Sequence, residues 1–420
     1  MSPSGERRSN LRRLLEENCP YWDHDGVRPY ARSSIAQALL CGTEALGAEV
    51  YSSILGERRI VPNSCKSRAC TSCGYWQTMR WQREVASQLP DIPYSGVILT
   101  MPRPFWGLLR KNRHMLRAIP ELAAGVLTDW VRERFEAVVP VVAVMHTFNA
   151  KFEFNVHVHL VVGLTGLHLG GDGIVNHLYL PIGVIRDRWC RGLLDFFELA
   201  VRKGSLQSTR NERALLALIA RYSTRYWKVI TSENRGIRQI LGYVARYVRR
   251  PPMADYRIQG WDKDNVRYLW RDKKSHGMVR EEILPVQQFI ARFIDQIPDK
   301  GMHSVRYFGL LAPHAREYRN EAFLRLLPTP RPQPVRRLRW ASSIRVTSGR
   351  DPLIDSAGNR MARTGHLLPA NRRSLQIDKP ERRDTTPPRR VICLPQSNPT
   401  CFTSAKAHSR THTLARASLP

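Results

Sequence analysis

The feature that most constrains the fold is a pair of histidines inside a run of β-branched and apolar residues. The run covers residues 155–163 and reads Asn-Val-His-Val-His-Leu-Val-Val-Gly, which is typical of a buried strand. Side chains two residues apart in a strand point to the same face, so His157 and His159 can bind one ion while Val158 turns into the core. The alternative is a pair of solvent-facing histidines, because a bare His-x-His motif often occurs by chance.

A neighbouring strand offers a third histidine. Residues 138–148 form a second β-rich run, and only a short connection separates it from the histidine strand, so we expect a β-hairpin. A turn centred in that connection places His146 opposite His157, and His146 is therefore the candidate third ligand. Glu153 could take its place, and a histidine packed in the core is the alternative for His146.

Segments before and after these strands have apolar residues at helical spacing. This spacing predicts helices over residues 105–137, 185–203, 213–227 and 236–250, the last ended by two prolines. A further β-rich run at 94–102 also ends at a proline. These elements predict an α+β fold for residues 91–326, with a central antiparallel sheet flanked by helices.

The first 90 residues hold a cluster of cysteines. Of the eight cysteines in the chain, only Cys65, Cys70 and Cys73 lie close together. In a chain expected in the cytoplasm, such clustering indicates a metal before it indicates disulfides. Residues 1–90 are therefore predicted to be a small zinc-binding-like domain. Cysteines merely packed as small apolar groups are the alternative.

The charge of the chain predicts its partner. Lys and Arg exceed Asp and Glu by 66 to 36, and a net charge of +30 indicates a polyanion, nucleic acid first and an anionic membrane surface second. The uncharged stretch 154–171 contains three histidines and four glycines, which is not typical of a membrane span. The N-terminus lacks the apolar core of a secretory signal, so we expect a cytoplasmic protein without a membrane partner.

The C-terminal part of the chain differs in composition. Twelve of the 28 prolines lie in residues 328–420, and residues 331–420 carry 18 Lys/Arg against 5 Asp/Glu. Such a segment buries too little apolar surface to offset its ordering entropy. We predict that residues 327–420 form a basic, mostly disordered tail.

The helix predicted over 236–250 carries two tyrosines four residues apart. Tyr243 and Tyr247 share one helical face, which could simply be the buried side of the helix. A functional interpretation is that a phenol attacks phosphorus, since positive charge nearby favours the phenolate and holds the phosphate. Arg246 and Arg250 each follow a tyrosine by three residues.

Together these motifs resemble the HUH superfamily of single-strand DNA endonucleases. More narrowly, they look like the two-tyrosine rolling-circle transposases of bacterial insertion sequences, relatives of the helitron transposases. The resemblance covers roughly residues 35–315. It rests on Val97-Ile-Leu-Thr-Met-Pro102, on His146-Thr-Phe-Asn, on the His-x-His strand and on the segment from Tyr243 to Pro252.

The resemblance implies an HUH endonuclease core and its chemistry. His157 and His159, with His146, would hold Mg²⁺ or Mn²⁺, and a tyrosine would cut single-stranded DNA and stay joined to its 5′ end. The same resemblance assigns catalytic roles to Tyr243, Tyr247 and Arg246 and DNA contacts to Arg249 and Arg250. The implied partners are the element ends, target DNA and host helicase or replication proteins, since the chain has no ATP-binding motif of the P-loop type.

The cysteines resemble the N-terminal zinc-binding domain of the same family. The implied ligands are Cys41, Cys65, Cys70 and Cys73, and four thiolates suit structural Zn²⁺. The sequence departs from the family pattern at two places where a Cys-x-x-Cys is expected, residues 52–55 and 351–358.

Two alternatives to a transposase stay open at this point. A rolling-circle replication initiator or a conjugative relaxase would use the same chemistry on another origin. A zinc-ribbon nucleic-acid-binding protein without catalysis would bind DNA in a salt-sensitive way and form no covalent product.

Overall fold

The computed structural model describes residues 9–86, 89–171, 173–232, 239, 253–272, 275–315, 322, 324–326, 341–342, 344–345, 349–369 and 375–377. Its helices are α1 (Asn10–Glu17), α2 (Pro29–Leu39), α3 (Thr71–Ala86), α4 (Arg103–Lys111), α5 (Ile119–Phe135), α6 (Ile182–Arg202), α7 (Glu212–Ser223) and α8 (Val286–Gln296).

The strands form four sheets, and every pair of neighbouring strands is antiparallel. One sheet has five strands, and the other three sheets are smaller. They contain β1 (Ala48–Ser52), β2 (Arg58–Pro62), β14 (Ala362–Leu367) and β15 (Leu375–Ile377); β10 (Ile258–Trp261), β11 (Asn265–Asp272) and β12 (Met278–Pro285); and β4 (Ala137–Val138), β7 (Gly166–His168) and β8 (Ile174–Val175). The α+β class and the antiparallel sheets agree with the sequence-based prediction.

A five-stranded sheet lies at the centre. Its strands are β3 (Tyr94–Thr100), β5 (Pro140–Phe148), β6 (Phe154–Gly163), β9 (Val229–Thr231) and β13 (Val305–Gly309), in the spatial order β13-β5-β6-β3-β9. The runs of valine, isoleucine and leucine in β3, β5 and β6 suit a sheet that is covered on both faces. All three strands were predicted from these runs.

The two faces of the central sheet pack against different helices. One face, which includes Val141 and Val158, contributes to a core with residues of α4, α5, α6 and α7. Because side chains alternate along a strand, Val142, Val144 and Val161 point the other way, where they form a second core with Trp81 and Val85 of α3.

The N-terminal helices share a core with a later part of the chain. Leu14 of α1 and Ile35 of α2 are fully buried in one cluster with Tyr268 of β11 and Phe289 of α8. The sequence indicated little long-range apolar order in residues 1–90. The helices found there are short, and the residues that cover them come more than 200 positions later.

Part of the C-terminal segment is ordered, which differs from the predicted disordered tail. Residues 362–367 form β14, which pairs antiparallel with β1, and residues 375–377 form β15 on its other edge. Among the described helices, none is long and apolar enough to cross a membrane.

Candidate metal centre and zinc site

Three histidines converge at one end of the central sheet. His146 on β5 is the direct register partner of His157 on β6, as the hairpin spacing predicts. Their nearest ring nitrogens and that of His159 all lie within 4.8 Å of one another. His146 and His159 are 4% and 3% exposed, and His157 is half-buried, so the cluster opens to solvent on the His157 side.

The hairpin turn explains why Glu153 does not join the cluster. Its carboxylate accepts a hydrogen bond from Asn149 Nδ2 at 2.8 Å, and its backbone N–H donates to Asn149 Oδ1 at 3.0 Å. Phe152 adopts a left-handed φ of 64° in the same turn, and its fully buried ring packs against Phe289 and Phe293 of α8. The turn is thus fixed by burial. His146 lies in the group of side chains that could hold one ion, and Glu153 is not part of that group, so His146 stays the predicted third ligand.

One histidine is already oriented for coordination. His157 Nδ1 lies 3.1 Å from the backbone oxygen of Asn155. A carbonyl oxygen only accepts, so Nδ1 carries the proton and the neutral ring keeps its free electron pair on Nε2. A bond from the other ring nitrogen to a backbone carbonyl is the usual way in which metal-binding histidines are held. The three imidazoles therefore fit a divalent ion chemically.

An aromatic side chain that the sequence analysis missed borders this site. Phe148 stacks on His146 with ring centroids 5.0 Å apart and an interplanar angle of 24°. Phe148 follows His146 by two residues on β5, so strand alternation places both side chains on the same face, although the register with β6 shifts between them. The aromatic residue two positions after His146 was therefore a signal available in the sequence.

The four predicted cysteines also lie together. The Sγ atoms of Cys41, Cys65, Cys70 and Cys73 are all within 4.8 Å of one another, with Cys41–Cys73 at 3.5 Å and Cys65–Cys73 at 3.6 Å. A tetrahedral zinc ion with Zn–S bonds of about 2.3 Å separates its sulfurs by about 3.8 Å. The cluster therefore has the size that Zn²⁺ requires.

Backbone amides surround the sulfurs. The N–H groups of Cys65, Ser67 and Cys73 donate to the Sγ atoms of Cys41, Cys65 and Cys70, at 3.4, 3.4 and 3.5 Å. Side-chain hydrogen bonds among the four thiols lower the pKa of Cys41 well below its usual range and raise the pKa of Cys65 and Cys70 well above it. Thiolate is the form that binds metal, so zinc binding to this cluster would release protons.

The predicted tyrosine helix lies outside the described residues. Tyr243, Arg246, Tyr247, Arg249 and Arg250 all fall in the segment 240–252, which the structure does not describe. Their roles stay predictions.

Two family models match the chain, and each match includes one of the two side-chain clusters. Residues 141–319, which include the three histidines, match the family model described as "Putative transposase". Residues 13–101, which include the four cysteines, match the model described as "Transposase zinc-binding domain". Together the two matches cover more than half of the chain.

Two curated relatives align over most of their length. The transposase for insertion sequence element IS801 of Pseudomonas savastanoi pv. phaseolicola is 26% identical over 74% of this chain and 78% of its own. The "Putative transposase y4qJ" of Sinorhizobium fredii (strain NBRC 101917 / NGR234) is 27% identical over 70% and 77%. No solved structure matches the chain significantly. The chain thus carries a match to a transposase zinc-binding domain followed by a match to a transposase domain, and it is similar over most of its length to transposases of insertion sequences.

Proposed function

We propose that this transposase nicks and rejoins single-stranded DNA at the ends of an insertion sequence through a 5′-phosphotyrosine intermediate. The observation that carries the proposal is the convergence of His146, His157 and His159 on two paired strands, in a chain of the transposase family. The fold proposed for residues 91–326 is an HUH endonuclease core, in which the five-stranded sheet presents the histidines.

The histidines position the scissile phosphate. The three histidines, His146, His157 and His159, would hold Mn²⁺ or Mg²⁺. Water and phosphate oxygens would complete the coordination of the ion. A divalent ion at this position supplies Lewis-acid polarisation of the phosphate. The more exposed edge at His157 is the side from which the DNA strand enters.

The proposed nucleophile is the phenol oxygen of Tyr243 or Tyr247. It attacks the phosphorus in line, the bond from phosphorus to the 3′ oxygen breaks, and the 3′ oxygen leaves with a proton as a hydroxyl. The product is a tyrosine ester of the 5′ phosphate. A 3′ hydroxyl later attacks the phosphorus of this ester, which forms a new phosphodiester and releases the tyrosine without ATP. Arg246 favours the phenolate by its charge, and Arg249 and Arg250 bind phosphates of the strand.

Two tyrosines allow two cut ends to be held at once, one for the element and one for the target. The scissile strand has to be single, because a phosphate within a duplex reaches this geometry poorly. The partners are therefore the element ends, target DNA and host helicase or replication proteins that separate the strands.

The direct test is a covalent adduct. Full-length protein incubated with MnCl₂ and a labelled single-stranded oligonucleotide that carries an element end should give a band that survives denaturing electrophoresis. Tyr243→Phe combined with Tyr247→Phe should abolish the band. An adduct that persists in this double variant would show that the nucleophile is another residue.

The histidines are tested in the same assay. His157→Ala with His159→Ala should reduce the adduct at least a hundredfold and remove Mn²⁺ binding measured by electron paramagnetic resonance, while DNA binding at low salt changes little. His168→Ala, a half-buried histidine outside the cluster, is the matched control. If neither metal nor tyrosines matter and only salt-sensitive binding is found, the protein is a non-catalytic DNA-binding member of the family.

A further inference from the structure

A groove of about 880 Å³ runs between α6 and α7, away from the histidine cluster. Four arginines line it, Arg186, Arg191, Arg202 and Arg225, together with the acidic residues Asp187, Asp195 and Glu198. The lining thus has one positive charge in excess, and the segment 186–228 to which it belongs carries ten Lys/Arg against four Asp/Glu, which favours a polyanion at this surface.

Some of these arginines form ion pairs with carboxylates within the groove wall. Arg186 pairs with Asp187 at 3.0 Å and Arg202 pairs with Glu198 at 2.6 Å. Arg191 and Arg225 are both exposed on the groove wall, and Arg225 lies 5.8 Å above the ring of Tyr222. These two guanidinium groups are the ones placed to contact phosphates.

An exposed aromatic ring lies at the same groove. Tyr226 is 73% exposed, although its neighbour Trp227 is 2% exposed. The Arg186 guanidinium lies 5.1 Å from the centroid of the Tyr226 ring, which limits the motion of the ring. A planar ring held at the surface beside cations is the arrangement on which unpaired bases stack.

The groove and the histidine cluster lie on opposite faces of the central sheet, and the end of β3 connects them. Thr100 on β3 is the register partner of His157, and its hydroxyl donates to the backbone oxygen of Lys228 at 2.7 Å. Its backbone oxygen accepts from Trp189 Nε1 of α6, also at 2.7 Å. A strand bound at the histidines would pass around this end of the sheet to reach Tyr226.

We propose that the α6–α7 groove binds a flanking stretch of single-stranded DNA, with one base stacked on Tyr226 and phosphates held by Arg191 and Arg225. The inference rests on the proposed function only in that the substrate is single-stranded DNA. It adds a second contact site, separate from the histidines and the tyrosine helix, that fixes the path of the strand.

The test is the binding of a fluorescent 20-nucleotide single strand to the zinc-loaded full chain without added Mg²⁺ or Mn²⁺, measured by anisotropy. Without the catalytic metal no cleavage occurs, so the result is independent of the covalent chemistry. Tyr226→Ala should weaken binding about tenfold, and Tyr226→Phe should restore it, because stacking needs the ring and not the hydroxyl. Tyr256→Ala, which removes an exposed tyrosine from the turn before β10, is the matched control and should change affinity less than twofold.

Two further measurements separate stacking and charge from a general loss of folding. Arg191→Ala should lower the slope of log affinity against log salt by about 0.7, the value for one phosphate contact on a single strand. A duplex of the same sequence should bind equally well to wild type and Tyr226→Ala. The proposal is overturned if Tyr226→Ala binds the single strand within twofold of wild type, or if it weakens the duplex as much as the single strand.

Discussion

At the scale of single residues, two arginines from different parts of the chain, Arg28 before α2 and Arg113 after α4, contact the end of α8. Arg113 donates to the backbone oxygens of Asp295 and Ile297 at 3.0 and 3.1 Å, and to the Asp299 carboxylate at 3.2 Å. Arg28 from the residue before α2 contacts the same carboxylate and the Ile297 oxygen. Both guanidinium groups thus satisfy carbonyls at a helix C-terminus, where positive charge is favourable.

The first prediction concerns Arg113. Its side chain is 9% exposed, and burial lowers its pKa while Asp299 counteracts this. Arg113→Ala should lower the free energy of unfolding by about 2 kcal/mol, because it removes a buried donor from the Asp295 and Ile297 oxygens, while Arg28 still contacts Ile297 and the Asp299 carboxylate. Urea denaturation followed by circular dichroism measures the change.

The control for this prediction is a neighbouring arginine with the same chemistry at the surface. Arg110 pairs with Asp295 at 2.7 Å, but its side chain is 54% exposed. Arg110→Ala should therefore cost less than about 1 kcal/mol. Equal losses in the two variants would mean that burial does not decide the contribution of Arg113.

At the scale of elements, the sequence predicts what local pattern determines. The valine-rich runs predict β3, β5 and β6, and the short connection predicts the register that places His146 opposite His157. Residue spacing also predicts α6 and α7, although α7 ends at Ser223 and not near Trp227. These features depend on residues close in the chain.

Other elements could not be predicted because their partners are distant. Strand β13 pairs with β5 across more than 150 residues, and β14 pairs with β1 across more than 300. The composition around β14 is rich in proline and arginine, which locally favours disorder. Strand pairing and side-chain contacts to the N-terminal region order it, and a composition argument cannot detect them.

The contacts of the returning segment with the N-terminal region are specific. Arg363 pairs with Glu49 at 2.5 Å, and Ser52 Oγ lies 2.9 Å from Thr364 Oγ1. Beyond the strand, the Ser356 N–H lies 3.2 Å from a Glu57 carboxylate oxygen. Of these residues, Ser52 and Ser356 lie in the segments 52–55 and 351–358, where the resemblance predicts a Cys-x-x-Cys, so a hydrogen bond is present at each of the two segments.

The second prediction follows from this pairing. Deletion of residues 351–420 removes β14 and β15 and leaves β1 as a sheet edge, so the amides of residues 48–52 should lose hydrogen-exchange protection by at least tenfold. Deletion of residues 378–420 alone leaves both strands in place and is the matched control. Unchanged protection in the longer deletion would show that β14 contributes nothing to the order of β1.

At the scale of the whole molecule, the zinc site and the histidine cluster are connected by one helix. Helix α3 begins at Thr71, between Cys70 and Cys73, and ends on the histidine face of the central sheet. There Trp81 Nε1 donates to the hydroxyl of Tyr307 on β13 at 2.9 Å. The cysteine cluster therefore fixes the start of the helix that covers this face.

A second connection runs through the loop between the cysteines. Arg68 donates to Ser304 Oγ at 2.7 Å, and the Ser304 backbone oxygen accepts from the N–H of Met145 at 2.8 Å. Met145 precedes His146 on β5. Two hydrogen bonds thus link the loop of the cysteine cluster to the residue before His146, and we predict that bound zinc helps to position the histidine strand.

The third prediction tests this coupling. Cys73→Ser removes one thiolate from the cluster and should release zinc, after which Arg68 and α3 lose their fixed positions. Hydrogen-exchange protection of the Met145 amide should then fall, and the affinity of the histidines for Mn²⁺ should fall about tenfold, the usual size of an effect transmitted to a ligand from its surroundings. Cys190→Ser, which alters a cysteine on α6 outside the cluster, should change neither quantity. If Cys73→Ser loses zinc but keeps both the Met145 protection and the Mn²⁺ affinity, the two metal sites act independently and the zinc-binding region serves DNA binding alone.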